Sequence, residues 1–175
     1  MARVRTASKT REVPWTMEEI EALVPQPIPY SKEWKFTASH NAKSAPAAFD
    51  NKPNTRWDTG VSQVPGMWYQ IELPRPERIA GLQLDTTGSD RDYPRGYRVE
   101  LSTDGATWNK PSAAGKGTQP LTEIEFPPTP AKFIRITQTG AVDGLFWSIH
   151  ELRLHAKNEL TKPIKPAVPV KNIYE

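Results

Sequence analysis

Cysteine is absent from this chain of 175 residues. That excludes disulfides, thiolate-bound metal and a cysteine nucleophile. Long apolar runs are absent as well, and nothing approaches the roughly 20 residues of a membrane span. No apolar h-region follows Met1, so no signal peptide is read. The sequence carries no Gly-x-Ser-x-Gly elbow, no phosphate loop and no metal-catalytic His pair. Ser148 and His150 are two apart and share a strand face, but no third group completes a triad, and an enzyme is not expected. The net charge of +3 is modest. A basic arm occupies residues 3–11, but no Lys/Arg run with interleaved aromatics interrupts the centre, so nucleic acid is not an expected partner.

What the chain does have is large core side chains and turn formers. It holds six Trp, five Tyr, five Phe and eighteen Pro, the last about twice average usage. Three segments are expected: a polar arm, short helix and Pro-rich linker over 1–32, a domain over 33–156, and a Pro/Lys-rich tail over 157–175. The helix is read over 15–23, with Thr16 as N-cap, Glu19 closing a capping box, and Trp15 stapled to Ile20. Pro25, Pro27 and Pro29 end it. Linker texture at both ends points to a module excised from a longer parent.

From Trp34 onward the pattern changes to short runs at period two, bounded by turns. Strands are expected over 34–38, 67–73, 79–86, 97–102, 121–126, 132–137 and 147–155. The cleanest is 97–102, with Tyr97, Val99 and Leu101 on one face and Arg98, Glu100 and Ser102 on the other. Thr103-Asp104-Gly105 follows as a hairpin signal. Pro74 and Pro76 are read as closing the strand before them. The last strand is irregular, because Trp147 and Ile149 have one parity and Leu152 and Leu154 the other. A break near His150 and Glu151 is needed to face both pairs inward.

The stretch from Ala47 to Trp57 concentrates turn formers and oxygen groups. Asp50 and Thr55 supply hard oxygens, and Glu151 can join them if the first loop and the last strand are neighbours. Calcium suits such a set; zinc would want His or Cys at ligand spacing, which His40, His150 and His155 do not show. The other readings are a sodium ion, or a corner in which Asp50 and Thr55 bond their own backbone.

Five blocks stand in order: Ala48-Phe49-Asp50-Asn51-Lys52-Pro53-Asn54-Thr55-Arg56-Trp57, Met67-Trp68-Tyr69-Gln70-Ile71-Glu72-Leu73, the run from Tyr97 to Trp108, Lys132-Phe133-Ile134-Arg135-Ile136, and Trp147-Ser148-Ile149-His150-Glu151-Leu152. With these blocks the chain resembles the discoidin, or coagulation factor 5/8 type C, superfamily, which includes the family 32 carbohydrate-binding modules. The resemblance covers about residues 33–156. It implies an all-β fold, an eight-stranded antiparallel jelly-roll β-sandwich, with a structural calcium. By the same resemblance the calcium ligands are the carbonyls of Ala47, Lys52 and His150, the carboxylates of Asp50 and Glu151, and both oxygens of Thr55. Asn51 replaces the usual Gly and tolerates a left-handed conformation.

The family also implies ligand binding by loops at one end of the sandwich. Asp58 stands where galactose-binding members often place His. The 88–95 loop offers Arg91, Tyr93 and Arg95, and the 140–146 loop offers Phe146. Arginine suits planar bidentate contacts, and an aromatic face stacks on a pyranose. The expected function is a non-catalytic carbohydrate-binding module that targets a parent catalytic domain to a glycan. A monomer is expected, outside the cell, on its surface or in the periplasm. The alternative is a protein-interaction module of a multidomain extracellular protein. Binding to a membrane ranks lowest, since Leu145-Phe146 is a meagre spike.

Overall fold

The computed structural model describes residues 24–157. The expected helix over 15–23 and the tail beyond 157 lie outside them. Nine strand segments occur among the described residues: β1 (Gln26–Pro27), β2 (Lys35–Ala38), β3 (Trp57–Asp58), β4 (Trp68–Asp85), β5 (Tyr97–Ser102), β6 (Ala113–Gly115), β7 (Leu121–Gln138), β8 (Ser148–Ile149) and β9 (Glu151–Ala156). A 3-10 helix spans Ala42–Phe49. One curled antiparallel sheet runs β1-β9-β4-β7-β5-β6, with β2 added on β4, while β3 and β8 form a separate ribbon.

Two long strands make the sandwich. The runs read from the sequence as separate strands over 67–73 and 79–86 are one strand, β4, and those over 121–126 and 132–137 are one strand, β7. The prolines bend these strands rather than ending them. Pairing of β4 with β7 slips between Glu72 and Glu77, around Pro74 and Pro76, where a missing N–H removes no ladder bond. The first half of β4 then pairs with β2, and the second half pairs with β9. Pairing slips again next to Gly81, where a Cβ would stand 2.5 Å from the Ile124 carbonyl oxygen.

Alternation puts Tyr69, Ile71 and Leu73 of β4, Val99 and Leu101 of β5, and Ile134 and Ile136 of β7 into the core. Each large apolar side chain so buried contributes about 1.5–3 kcal/mol. Trp57 and Trp147 meet edge to face at 5.0 Å, and Trp57 meets Tyr69 at the same distance. Their polar tips differ: Trp57 Nε1 donates to the His40 carbonyl and the Tyr69 hydroxyl to the Ala45 carbonyl, whereas Trp147 Nε1 has no partner among the described residues.

The expected break in the last strand is present. β8 pairs with β3, β9 pairs with β4, and His150 sits between them. All four apolar residues of mixed parity, Trp147, Ile149, Leu152 and Leu154, are buried. The break brings Glu151 beside the loop that follows the 3-10 helix.

Candidate functional site

The corner comes first, because the fold assembles it from opposite ends of the chain. Asn51 adopts φ 55, the left-handed conformation its position demands. That turn lets Asp50 accept the Lys52 N–H at 2.9 Å. Thr55 Oγ1 lies 2.7 Å from both Asp50 carboxylate oxygens and 3.0 Å from the Lys52 carbonyl. One hydroxyl proton faces three acceptors, so the cluster is rich in oxygen and poor in hydrogen.

Glu151 completes the corner. Burial, and then the negative charge of Asp50, raise its carboxyl above the ordinary range; Arg153 and the N–H groups of Lys52 and Asn51 pull the other way. Its Oε1 is buried with no hydrogen-bond partner among the described residues. An orphaned carboxylate oxygen beside a second carboxylate and a crowded hydroxyl is a donor set that fits a hard cation. Among the described residues no three His, Cys, Asp or Glu side chains converge, so a cation here would need carbonyls and Thr55 as well as the two carboxylates. Ala47 lies in the 3-10 helix just before Asp50, and His150 directly precedes Glu151. The His150 ring serves elsewhere: Nδ1 is 3.0 Å from the Pro53 carbonyl and Nε2 is 3.0 Å from Ser89 Oγ.

The loop end is built differently. Gln63, 1% exposed, sits at its centre. Its Nε2 donates to the carbonyls of Tyr93 at 3.1 Å and Phe146 at 2.7 Å. Its Oε1 accepts the Arg95 N–H at 3.1 Å and also the Gln138 side-chain amide. Gln138 Oε1 in turn accepts the N–H groups of Gly96 and Gly140. Two buried amides therefore tie three loops together.

This brings Tyr93, Arg95 and Phe146 to one place. The Arg95 guanidinium lies 3.8 Å from the Tyr93 ring centroid. It also donates to the Tyr93 carbonyl at 2.8 Å and the Arg91 carbonyl at 2.7 Å, so much of its fork clamps its own loop. Arg91 and Phe146 are exposed. Asp58 stands to one side, paired with Arg56 at 2.9 Å. Arg56 bonds Ser89 Oγ, which links Asp58 to the 86–95 segment. Asp92 Oδ2 accepts from Ser148 Oγ at 2.6 Å and fastens the same segment to β8.

Sequence reasoning missed Gln63, Gln138 and the bridging role of Arg56. Gln63 lies in a turn-rich stretch between Val61 and Val64, each 49% exposed. Polarity there is inverted, with the amide inside and the valines outside, so no periodic pattern marks it.

The F5/8 type C domain family matches residues 31–152, and the chain belongs to that family. It has the carbohydrate-binding-module fold. Similar solved structures include CpGH89CBM32-5 from Clostridium perfringens, in complex with GalNAc-β-1,3-galactose (24% identity, 70% of this chain and 95% of that one, TM-score 0.60). Another is the family 32 module of C. perfringens NanJ in complex with galactose (22%, 75% and 99%, TM-score 0.61). A third is chitosan-binding module 1 of a chitosanase/glucanase from Paenibacillus sp. IK-5 (22%, 71% and 95%, TM-score 0.60). At these identities the likeness is one of fold. No curated protein matches the sequence.

Proposed function

We propose that this domain is a non-catalytic carbohydrate-binding module that meets a glycan at the loop end. The observation that carries the reading is the Gln63 amide, which holds the carbonyls of Tyr93 and Phe146 together and so joins the loop of an exposed aromatic to the loop that carries Arg91 and Arg95. Phe146 is the platform for a pyranose face, and Arg91 supplies free donors for its hydroxyls. Asp58 accepts hydroxyl hydrogen bonds from the flank. Neighbours of the same fold are solved with GalNAc-β-1,3-galactose and with galactose; Asp58 in place of His argues for a different sugar here. The module serves a parent enzyme outside the cell, holding its catalytic domain near the glycan.

A structural calcium at the corner belongs to the same reading. Asp50 and Glu151 would bind it through carboxylates, Thr55 through its hydroxyl and carbonyl, and Ala47, Lys52 and His150 through carbonyls. The ion would neutralise two facing carboxylates and lock the loop to β9. A glycan array, run with and without chelator, tests the binding. Hits that disappear in Phe146→Ala and Arg91→Ala support the loop end, while a folded protein with no hit above background overturns the reading.

A further inference from the structure

A second cluster lies on the outer face of the sheet, away from the corner and the loop end. β4 turns Trp68, Gln70 and Glu72 outward, and β7 sets Thr137, Arg135 and Phe133 opposite them. β5 continues the row, with Glu100 opposite Arg135. Trp68 is thus diagonal to Arg135 on one face, within reach of a long side chain.

Arg135 is clamped between two half-buried indoles. Its guanidinium carbon lies 5.1 Å from the Trp68 ring and 4.2 Å from the ring of Trp108, which arrives on the loop after β5. Its Nε and Nη2 donate to Gln70 Oε1 at 2.9 and 2.7 Å. The Nη1 edge has no acceptor among the described residues. Among the described residues no carboxylate answers the charge either: Glu100 turns to Arg98 at 3.2 Å, and Glu72 turns to Lys132 and Lys35. Arg56 and Arg75, by contrast, are paired with Asp58 and Glu77. Arg135 instead has two rings and one amide oxygen, and among the described residues no carboxylate pairs with it.

We propose that this outer face is a second binding site, for an acidic polysaccharide. A sugar carboxylate takes the free edge of the Arg135 fork, the planar group that a guanidinium fits best. Pyranose rings pack along Trp68 and Trp108. The row crosses three strands, about 10 Å, which suits a stretch of chain rather than a chain end. Four cations, Lys35, Arg98, Lys132 and Arg135, face two carboxylates, Glu72 and Glu100, so the surface favours an anionic chain. The site is independent of the loop end.

Affinity electrophoresis of the full chain tests this in gels containing polygalacturonate, neutral galactan or dextran sulfate. Polygalacturonate should retard the protein, free galactose should not relieve the retardation, and galactan should have no effect. Arg135→Lys keeps the charge and loses the fork, and should weaken retention about tenfold, the scale of one charge-assisted hydrogen bond. If that variant melts early, Gln70→Glu is the second check. It gives the guanidinium an internal carboxylate and should abolish retention with both indoles in place. Equal retardation by galactan, or retention by dextran sulfate that matches polygalacturonate and survives Arg135→Lys, overturns the proposal. So does a lack of retardation in polygalacturonate, or undiminished retention by Gln70→Glu. Glycan-array hits at the loop end that persist in Arg135→Lys keep the two sites distinguishable.

Discussion

The segment from Phe146 to Glu151 runs between two polar clusters that differ in how their hydrogen bonds close. At the loop end, Gln63 and Gln138 satisfy one another and the backbone around them. At the corner, Glu151 Oε1 is buried with no partner among the described residues, and one Thr55 proton faces three acceptors. A closed network gives rigidity, because any movement leaves a buried group unpaired. An open one keeps an unmet demand, which a cation can supply. The two clusters thus differ in what they need: protein atoms alone close the loop end, while the corner leaves acceptors unmatched, which is where the proposed calcium would act.

Breaking the closed network should have the largest effect. Gln63→Leu leaves the Arg95 N–H, the carbonyls of Tyr93 and Phe146, and the Gln138 amide short of a partner. It should lower stability by about 3–5 kcal/mol in urea unfolding, the range for a broken buried hydrogen-bond network. A loss below about 1 kcal/mol would mean that the loops are held elsewhere, and the contrast with the corner would collapse.

At the corner the expected sign is reversed. Calcium at about 100 times its dissociation constant should stabilise the domain by about 2.7 kcal/mol, and chelator should remove the gain. Asp50→Ala should abolish that response. Glu151→Gln removes a carboxylate that burial and Asp50 both disfavour as an anion. Without calcium it should therefore match or exceed the parent stability, and it should not respond to calcium. Calorimetry with and without chelator reads both. Marked destabilisation of calcium-free Glu151→Gln would show that the corner closes on itself as the loop end does.

How much of this was legible in the sequence depended on whether a pattern reached across the chain. Val99 and Leu101 announce their burial by alternation, and the parity conflict between Ile149 and Leu152 announces the break at His150. The join of 67–73 to 79–86 was not legible, because Pro74 reads as a stop until a partner strand shows the register slipping there. The corner was half legible: Asp50, Asn51 and Thr55 form a local turn motif, but Glu151 reaches them only through the fold. Tyr93 and Arg95 were visible as loop residues. Their clamp was not, since the Arg95 fork is committed to backbone carbonyls that no side-chain pattern encodes. Gln63 gave no signal, as a buried amide in a loop has no period. The Trp68, Arg135 and Trp108 cluster depends on register between β4 and β7, so its members look unrelated along the chain.

The smallest expected effect extends the comparison to an exposed loop. Asp104 Oδ1 accepts the N–H groups of Thr107 at 2.7 Å and Ala106 at 2.8 Å, and the Ser102 hydroxyl at 3.0 Å. These bonds, led by Thr107, hold its carboxyl at about 2, below the ordinary 3.8. The folded state favours the anion, so its contribution is complete above about 3.8 and is lost as pH falls through about 2. The cluster is closed, like that of Gln63, but it lies in water, so opening it should do little to global stability. The effect should instead be local. Trp108 follows this turn and stacks on Arg135. Acidification between about 3.8 and 2 should therefore change tryptophan fluorescence before unfolding begins. Asp104→Asn keeps an acceptor for both N–H groups and carries no titrating charge, so it should flatten that change without shifting the urea midpoint at neutral pH. If the variant instead unfolds as readily as Gln63→Leu, exposure does not separate the two clusters, and closure alone governs how much each contributes.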